Sequence, residues 1–201
     1  MSSGYEKEML RIRWQLSRSF FIDVMKGDRL CDWLCKGYSN DCGGKTMNLE
    51  IKVMEVSDLM SAMKLIEECF DQFVAIDYTL NGILTFKNRF IHNPQFHNKF
   101  RSGVEKMYGA YWDSRLVGCL SISIHNTVSC VFVKREYQRK GIASILFHSV
   151  IDELRNRGEK VIQLNASPYA VSFYHAIGFV DIGEETDYEG IRYTPMQYVI
   201  K

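Results

Sequence analysis

The sequence predicts an α/β protein: one domain on a mixed central sheet flanked by helices, preceded by an N-terminal helical appendage. Three observations carry this. The chain has 201 residues, 46% hydrophobic and 24% charged, with only 3 Pro. Such a composition buries a core instead of staying disordered, and at about 150 residues per domain the length suits one domain with an extension. Apolar spacing alternates between strand and helix periods in the order β-α-α-β-β-β-α-β-α-β-β, which sets helices against a sheet. Turn formers gather in SNDCGGKTM, Ser39 to Met47, ahead of a fresh apolar pattern, so the domain is placed at 47–201 and the appendage at 1–46.

In the appendage, Met9, Ile12, Trp14, Leu16, Phe20, Phe21 and Val24 recur at mixed helical spacings, predicting an amphipathic helix over about 5–26. The domain opens with the strand IKVMEV. Ser57 is then placed to cap a helix whose apolar positions are Leu59, Met60, Met63, Leu65, Ile66 and Phe70. Thr79 to Ile91 is a less regular helical stretch, and Asn93-Pro94 marks a loop. MYGAYW, RLVGCLSIS and TVSCVFV read as three strands, with Asp113 and Ser114 turning between the first two. Gly141 to Arg157 is the clearest helix, with Ile142, Ile145, Leu146, Ser149, Val150 and Leu154 along one face and Gly158 as its stop. VIQLNA is the next strand and Pro168 to Ala176 a short helix with proline near its first turn. FVDIG and RYTPMQYVI close the sheet.

With 25 Lys+Arg against 24 Asp+Glu the net charge is +1, which supplies no broad field for nucleic acid or an anionic membrane. The appendage holds eight basic against six acidic residues, a contrast too small to imply a partner. No apolar run nears the ~18 residues of a membrane span, and the N-terminus interleaves charges where a signal peptide is apolar. The 6 Cys are scattered; without a secretion signal they are expected to be reduced thiols of a cytoplasmic protein. Cys31, Cys35 and Cys42 lack a C-x-x-C pair and the appendage holds no histidine, so no metal site is expected.

The segment with chemical content is CVFVKREYQRKGIASILFHSVIDEL, an apolar strand, a short basic loop and a long helix joined through Gly141. A helix N-terminus presents unpaired N–H groups and a partial positive charge, an anion site suited to phosphate. Gly141 has no side chain to keep a pyrophosphate off the backbone, Ala143 leaves the first turn open, and Arg139 and Lys140 add positive charge. Taken alone, these residues equally suit an ordinary strand-to-helix turn with a solvated basic loop, and Tyr174 further on suits a core aromatic.

The run Gln138-Arg139-Lys140-Gly141-Ile142-Ala143 matches Q/R-x-x-G-x-G/A, the acetyl-CoA signature of the GNAT superfamily of N-acetyltransferases. About thirty residues later NASPYAVSFYHAIGF resembles that superfamily's next motif. The chain resembles a small bacterial-type branch, over roughly Leu49 to Lys201. The resemblance implies a GNAT-like sheet whose fourth and fifth strands splay to admit the pantetheine arm of acetyl-CoA. It implies that Val131, Phe132 and Val133 bond that arm through their backbone and offer the oxyanion donor. The amides of Arg139, Lys140, Gly141, Ile142 and Ala143 would wrap the pyrophosphate, with Gln138 opening the loop. Asn165 would reach a pantetheine amide, Phe173 would pack on the arm, and Tyr174 would protonate the departing CoA thiolate. Two departures stand out: Ser167 occupies a place where many members have Asn, and Ala143 replaces the second glycine.

The expected function is transfer of acetyl from acetyl-CoA to a primary amine, small molecule or protein, by direct attack in a ternary complex. No acyl-enzyme nucleophile is expected, since Cys130 lies in an apolar strand where a thiol stays neutral. The alternative is a non-catalytic acyl-CoA-binding module that docks a partner. His125, just before the fourth strand, is one candidate base at the mouth of the acceptor cleft, and water is the other. Glu68, Asp71 and Asp77 either attract a cationic amine or form a solvated helix end. The acceptor walls are expected from Phe70 to Phe100 and Thr186 to Tyr193. Two readings of the appendage compete: a helical arm packing Trp14, Phe20 and Phe21 on the domain or on a second subunit in a homodimer, and incidental sequence upstream of an alternative start at Met47.

Overall fold

The structure, a computed structural model, describes residues 48–201. The helix expected at 5–26 and the cysteines at 31, 35 and 42 lie outside the described residues. Strand β1 (Leu49–Val53) leads through a 3-10 turn (Val56–Asp58) into α1 (Leu59–Phe73), α2 (Leu80–Phe86) and α3 (Pro94–Arg101). Strands β2 (Glu105–Trp112), β3 (Arg115–Ser123) and β4 (Val128–Val133) follow, then α4 (Ile142–Asn156), β5 (Val161–Ala166) and α5 (Val171–Ala176). The chain closes with β6 (Val180–Asp181), β7 (Thr186–Tyr188) and β8 (Ile191–Val199). The strands form two antiparallel sheets, ordered β1-β2-β3-β4 and β5-β8-β6, with β7 also on β8. Among the described residues one parallel bridge, Thr127 to Gln163, joins them. No helix of the described residues is long and apolar enough to cross a membrane.

Local chemistry explains both the agreements and the differences. Asp113 and Ser114 take positive φ, 46° and 64°, the twist that a two-residue hairpin between right-twisted strands requires. Ser57 does not cap α1: it sits inside the 3-10 turn, and no side chain caps the helix that follows. Met60, expected on the buried face, is 63% exposed. Asn93-Pro94 opens a helix instead of a loop, because Asn93 Oδ1 accepts from the Gln95 and Phe96 amides at 2.9 and 3.3 Å and proline suits the first turn. Residues 168–170 form a turn ahead of α5, with the Ala170 and Val171 amides donating to the Ser167 carbonyl.

Alternation along β4 divides the core. Val131 and Val133 pack beneath α4 with Leu120, Leu146, Phe147 and Leu164. Cys130 and Phe132 pack beneath α1 and α2 with Phe70 and Phe86, whose rings stack at 4.0 Å. The β7–β8 hairpin tip, Glu189 and Gly190, is seated on α2: a Cβ at Gly82 would lie 2.4 Å from the Gly190 carbonyl oxygen. Alanine in a helix is ordinarily about 1 kcal/mol better than glycine. Here overpacking of about 1–3 kcal/mol outweighs that gain, so Gly82→Ala is expected to lower the urea midpoint of unfolding; an unchanged or raised midpoint would show the hairpin to be loosely seated.

Candidate functional site

β4 and β5 part company beyond the Thr127–Gln163 bridge, β4 bonding to β3 and β5 to β8. This is the splay expected of the fourth and fifth strands. The Lys134 amide donates to the Val117 carbonyl at 2.8 Å. In an antiparallel ladder bonded positions alternate, so Phe132 faces β3 opposite Cys119. Val131 and Val133 therefore turn their backbone groups toward the gap, whereas those of Phe132 point the other way.

Gln138, 8% exposed, donates from Nε2 to the Val133 carbonyl at 2.9 Å. Its Oε1 is buried without a hydrogen-bond partner, as is Ser167 Oγ at the end of β5. The Gln138 oxygen can accept, and the Ser167 hydroxyl can accept or donate, so both are available to a polar ligand. The loop then reverses through Arg139 (φ 61°) and Gly141 (φ 78°). Gly141 precedes α4 with no side-chain cap, and the Ile145 amide makes the first bond back, to the Gly141 carbonyl at 3.0 Å. The amides of Ile142, Ala143 and Ser144 lie ahead of that bond, and the Ile142 and Ala143 side chains are buried. The helix therefore presents backbone donors, which suits an anion. Arg139 and Lys140 are exposed. Lys140 Nζ rests 5.1 Å from the rings of both Trp112 and Tyr137, a cation–π arrangement that the sequence reading missed.

Asn165 is buried at the end of β5, and α5 carries Phe173 and Tyr174 into the core. Tyr174, 1% exposed, meets Phe173, Phe147 and Phe179 edge-on at 5.0, 5.8 and 5.5 Å. Burial holds its phenol pKa well above the ordinary value, and the Cys130 thiol adds to the effect. The phenol is thus a proton donor throughout the neutral range. Burial pushes the Cys130 thiol itself up to about 12, leaving it neutral and unsuited to nucleophilic attack.

Along β5, a groove of about 460 Å³ is lined by Thr127, Gln163, Asn165, Asp187, Tyr188 and Tyr193, among others. Its walls include part of the Thr186–Tyr193 stretch expected for the acceptor. His125 is exposed in the β3–β4 turn, at the other end of β4 from Val133. Asp71 is committed to Lys87 at 2.8 Å, with Glu67 at 3.3 Å on the same ammonium, and Glu68 is exposed on α1. Among the described residues no three His, Cys, Asp or Glu side chains converge as metal ligands. Sequence reasoning missed β7 and its turn; the dipeptide Glu189-Gly190 between two short alternating runs was the signal available.

Residues 74–200 match the family model for the acetyltransferase (GNAT) domain. The fold is similar to that of the PaiA N-acetyltransferase of Thermoplasma acidophilum in complex with coenzyme A, at 22% identity and a TM-score of 0.63, over 76% of this chain and 99% of that one. It is similar to a GCN5-related N-acetyltransferase of Rhodopseudomonas palustris, at 17% identity and a TM-score of 0.66, over 78% and 99% of the two chains. YncA of Salmonella typhimurium, with its cofactor acetyl-CoA, matches at 16% identity and a TM-score of 0.57, over 77% of this chain and 95% of that one. At these identities the solved structures speak for the fold, and the family match, which spans more than half the sequence, shows that the chain belongs to the GNAT acetyltransferase family.

Proposed function

We propose that the domain at 47–201 transfers the acetyl group of acetyl-CoA to a primary amine by direct attack in a ternary complex. The observation that carries this is the parting of β4 from β5 beside the start of α4, where the amides of Ile142, Ala143 and Ser144 precede the first bond back to Gly141. Acetyl-CoA supplies the activated thioester. The amides of Arg139, Lys140, Gly141, Ile142 and Ala143 would hold its pyrophosphate, with the positive charge of the basic loop beside them. Val131 and Val133 face the gap where the pantetheine arm would bond, with Gln138 fixing the Val133 carbonyl. Phe132 would contribute by anchoring the strand to β3, Asn165 by its amide and Phe173 by packing.

In the reaction the amine, having given its proton to water, forms a bond to the acetyl carbon while the carbon–sulfur bond breaks. A backbone amide of the splayed strand would stabilise the negative charge on the carbonyl oxygen. The nitrogen sheds its second proton to water as the amide forms, while the sulfur leaves as thiolate and takes the Tyr174 proton, which solvent restores. The Cys130 thiol, kept neutral by burial, is unsuited to carry an acyl group by nucleophilic attack. Incubation with acetyl-CoA and a panel of primary amines, following free thiol, is expected to show amine-dependent CoA release. Tight acetyl-CoA binding with no release for any amine would overturn transfer in favour of a binding module.

A further inference from the structure

We infer that the groove between β5 and the β7–β8 hairpin selects small amines that carry a second positive charge away from the acetylated nitrogen, and that Asp187 is the residue that reads this charge. The inference rests on the transfer reading above and adds the class of acceptor. The groove runs along the seam where β4 and β5 separate, from Thr127 and Gln163 to Asn165, and its volume of about 460 Å³ is in the range of small-molecule sites, about 300–1,000 Å³.

Its far wall is fixed in place. Arg89 donates to Tyr188 Oη at 3.2 Å and to Glu189 Oε2 at 2.9 Å, and its guanidinium lies 4.9 Å over the Tyr188 ring. Asn81 donates to the Glu189 carbonyl at 3.0 Å. Asp187 is held by the turn, its Oδ1 accepting from the Gly190 amide at 3.1 Å.

The charge of this wall is one-sided. Residues 184–189 hold Glu184, Glu185, Asp187 and Glu189. Arg192, opposite Asp187 in the β7–β8 ladder, turns its Nε to Glu185 at 2.8 Å, and Arg89 meets Glu189; among the described residues Glu184 and Asp187 form no ion pair, and no Lys or Arg lines the groove. An acceptor bearing a carboxylate is repelled here.

Why a second charge is needed follows from the chemistry. The attacking nitrogen must lose its proton, so attraction between a carboxylate and that nitrogen would hold it as unreactive ammonium. A carboxylate favours the transition state only through a charge the acceptor keeps.

The test compares 1,4-diaminobutane, butylamine and 4-aminobutanoate as acceptors for the full chain. The expected kcat/KM for the diamine exceeds that for butylamine by about 10-fold, the scale of one hydrogen bond between charged groups, with 4-aminobutanoate slowest. Asp187→Asn keeps the acceptor oxygen that the Gly190 amide needs and removes the charge, so the diamine-to-butylamine ratio should fall toward one while acetyl-CoA affinity, measured by calorimetry, stays at the wild-type level. Equal rates for all three acceptors, faster 4-aminobutanoate, a ratio untouched by Asp187→Asn, or acetylation of peptide amines alone would overturn the inference and leave acetyl transfer standing. Absence of turnover with every amine would instead remove the reading beneath it.

Discussion

Gly141→Asn is expected to weaken acetyl-CoA binding at least about 100-fold, the equivalent of losing two charge-assisted hydrogen bonds at about 1.5 kcal/mol each. The choice of asparagine follows from the backbone. Gly141 sits at φ 78°, where a β-branched residue is strongly disfavoured, whereas asparagine tolerates the left-handed region better than other side chains. Gly141→Val would therefore mix loss of the anion site with strain in the loop, and weak binding by that variant would be ambiguous. Asparagine keeps the turn and adds a side chain where the amides of Ile142 and Ala143 open the helix. Calorimetry on a variant with wild-type circular dichroism separates the two effects, and undiminished affinity in that folded protein would remove the phosphate assignment.

What could be read from the sequence follows the range of each interaction. The turn into α4 at Gly141 was legible because a glycine at positive φ and the helix it opens are contiguous in the chain. The hairpin at Asp113-Ser114 was legible for the same reason. α3 was not, because Asn-Pro is at once a loop signal and a cap followed by a first-turn proline, and only the bonds from Gln95 and Phe96 to Asn93 decide between them. The bond from Gln138 to the Val133 carbonyl, and the division of β4 into Phe132 on one side and Val131 and Val133 on the other, depend on which neighbour β4 pairs with. Lys140 meets Trp112 across the sheet end, and the groove draws Thr127, Asn165, Asp187 and Tyr193 from separate segments. No local spacing encodes such meetings.

Tyr174→Phe is expected to lower kcat by about 10- to 1000-fold while leaving acetyl-CoA affinity and the unfolding midpoint close to wild type. The substitution removes one oxygen and keeps the ring, so the edge-on contacts with Phe147, Phe173 and Phe179 survive. The structural reading of Tyr174, a core aromatic, predicts no loss of turnover, because the ring and its packing are kept; the catalytic reading predicts that loss. The pH dependence adds a second discriminant. Burial raises the phenol pKa from an ordinary value of about 10, so the donor stays protonated as pH rises and no alkaline limb below about pH 10 belongs to it. The rate should instead climb with pH as the acceptor amine loses its proton, in wild type and variant alike. Turnover of Tyr174→Phe at the wild-type rate would mean that water supplies the thiolate's proton. A limb at about pH 10 that vanishes in the variant would mean that the phenol is exposed to solvent when it acts, against the burial seen here.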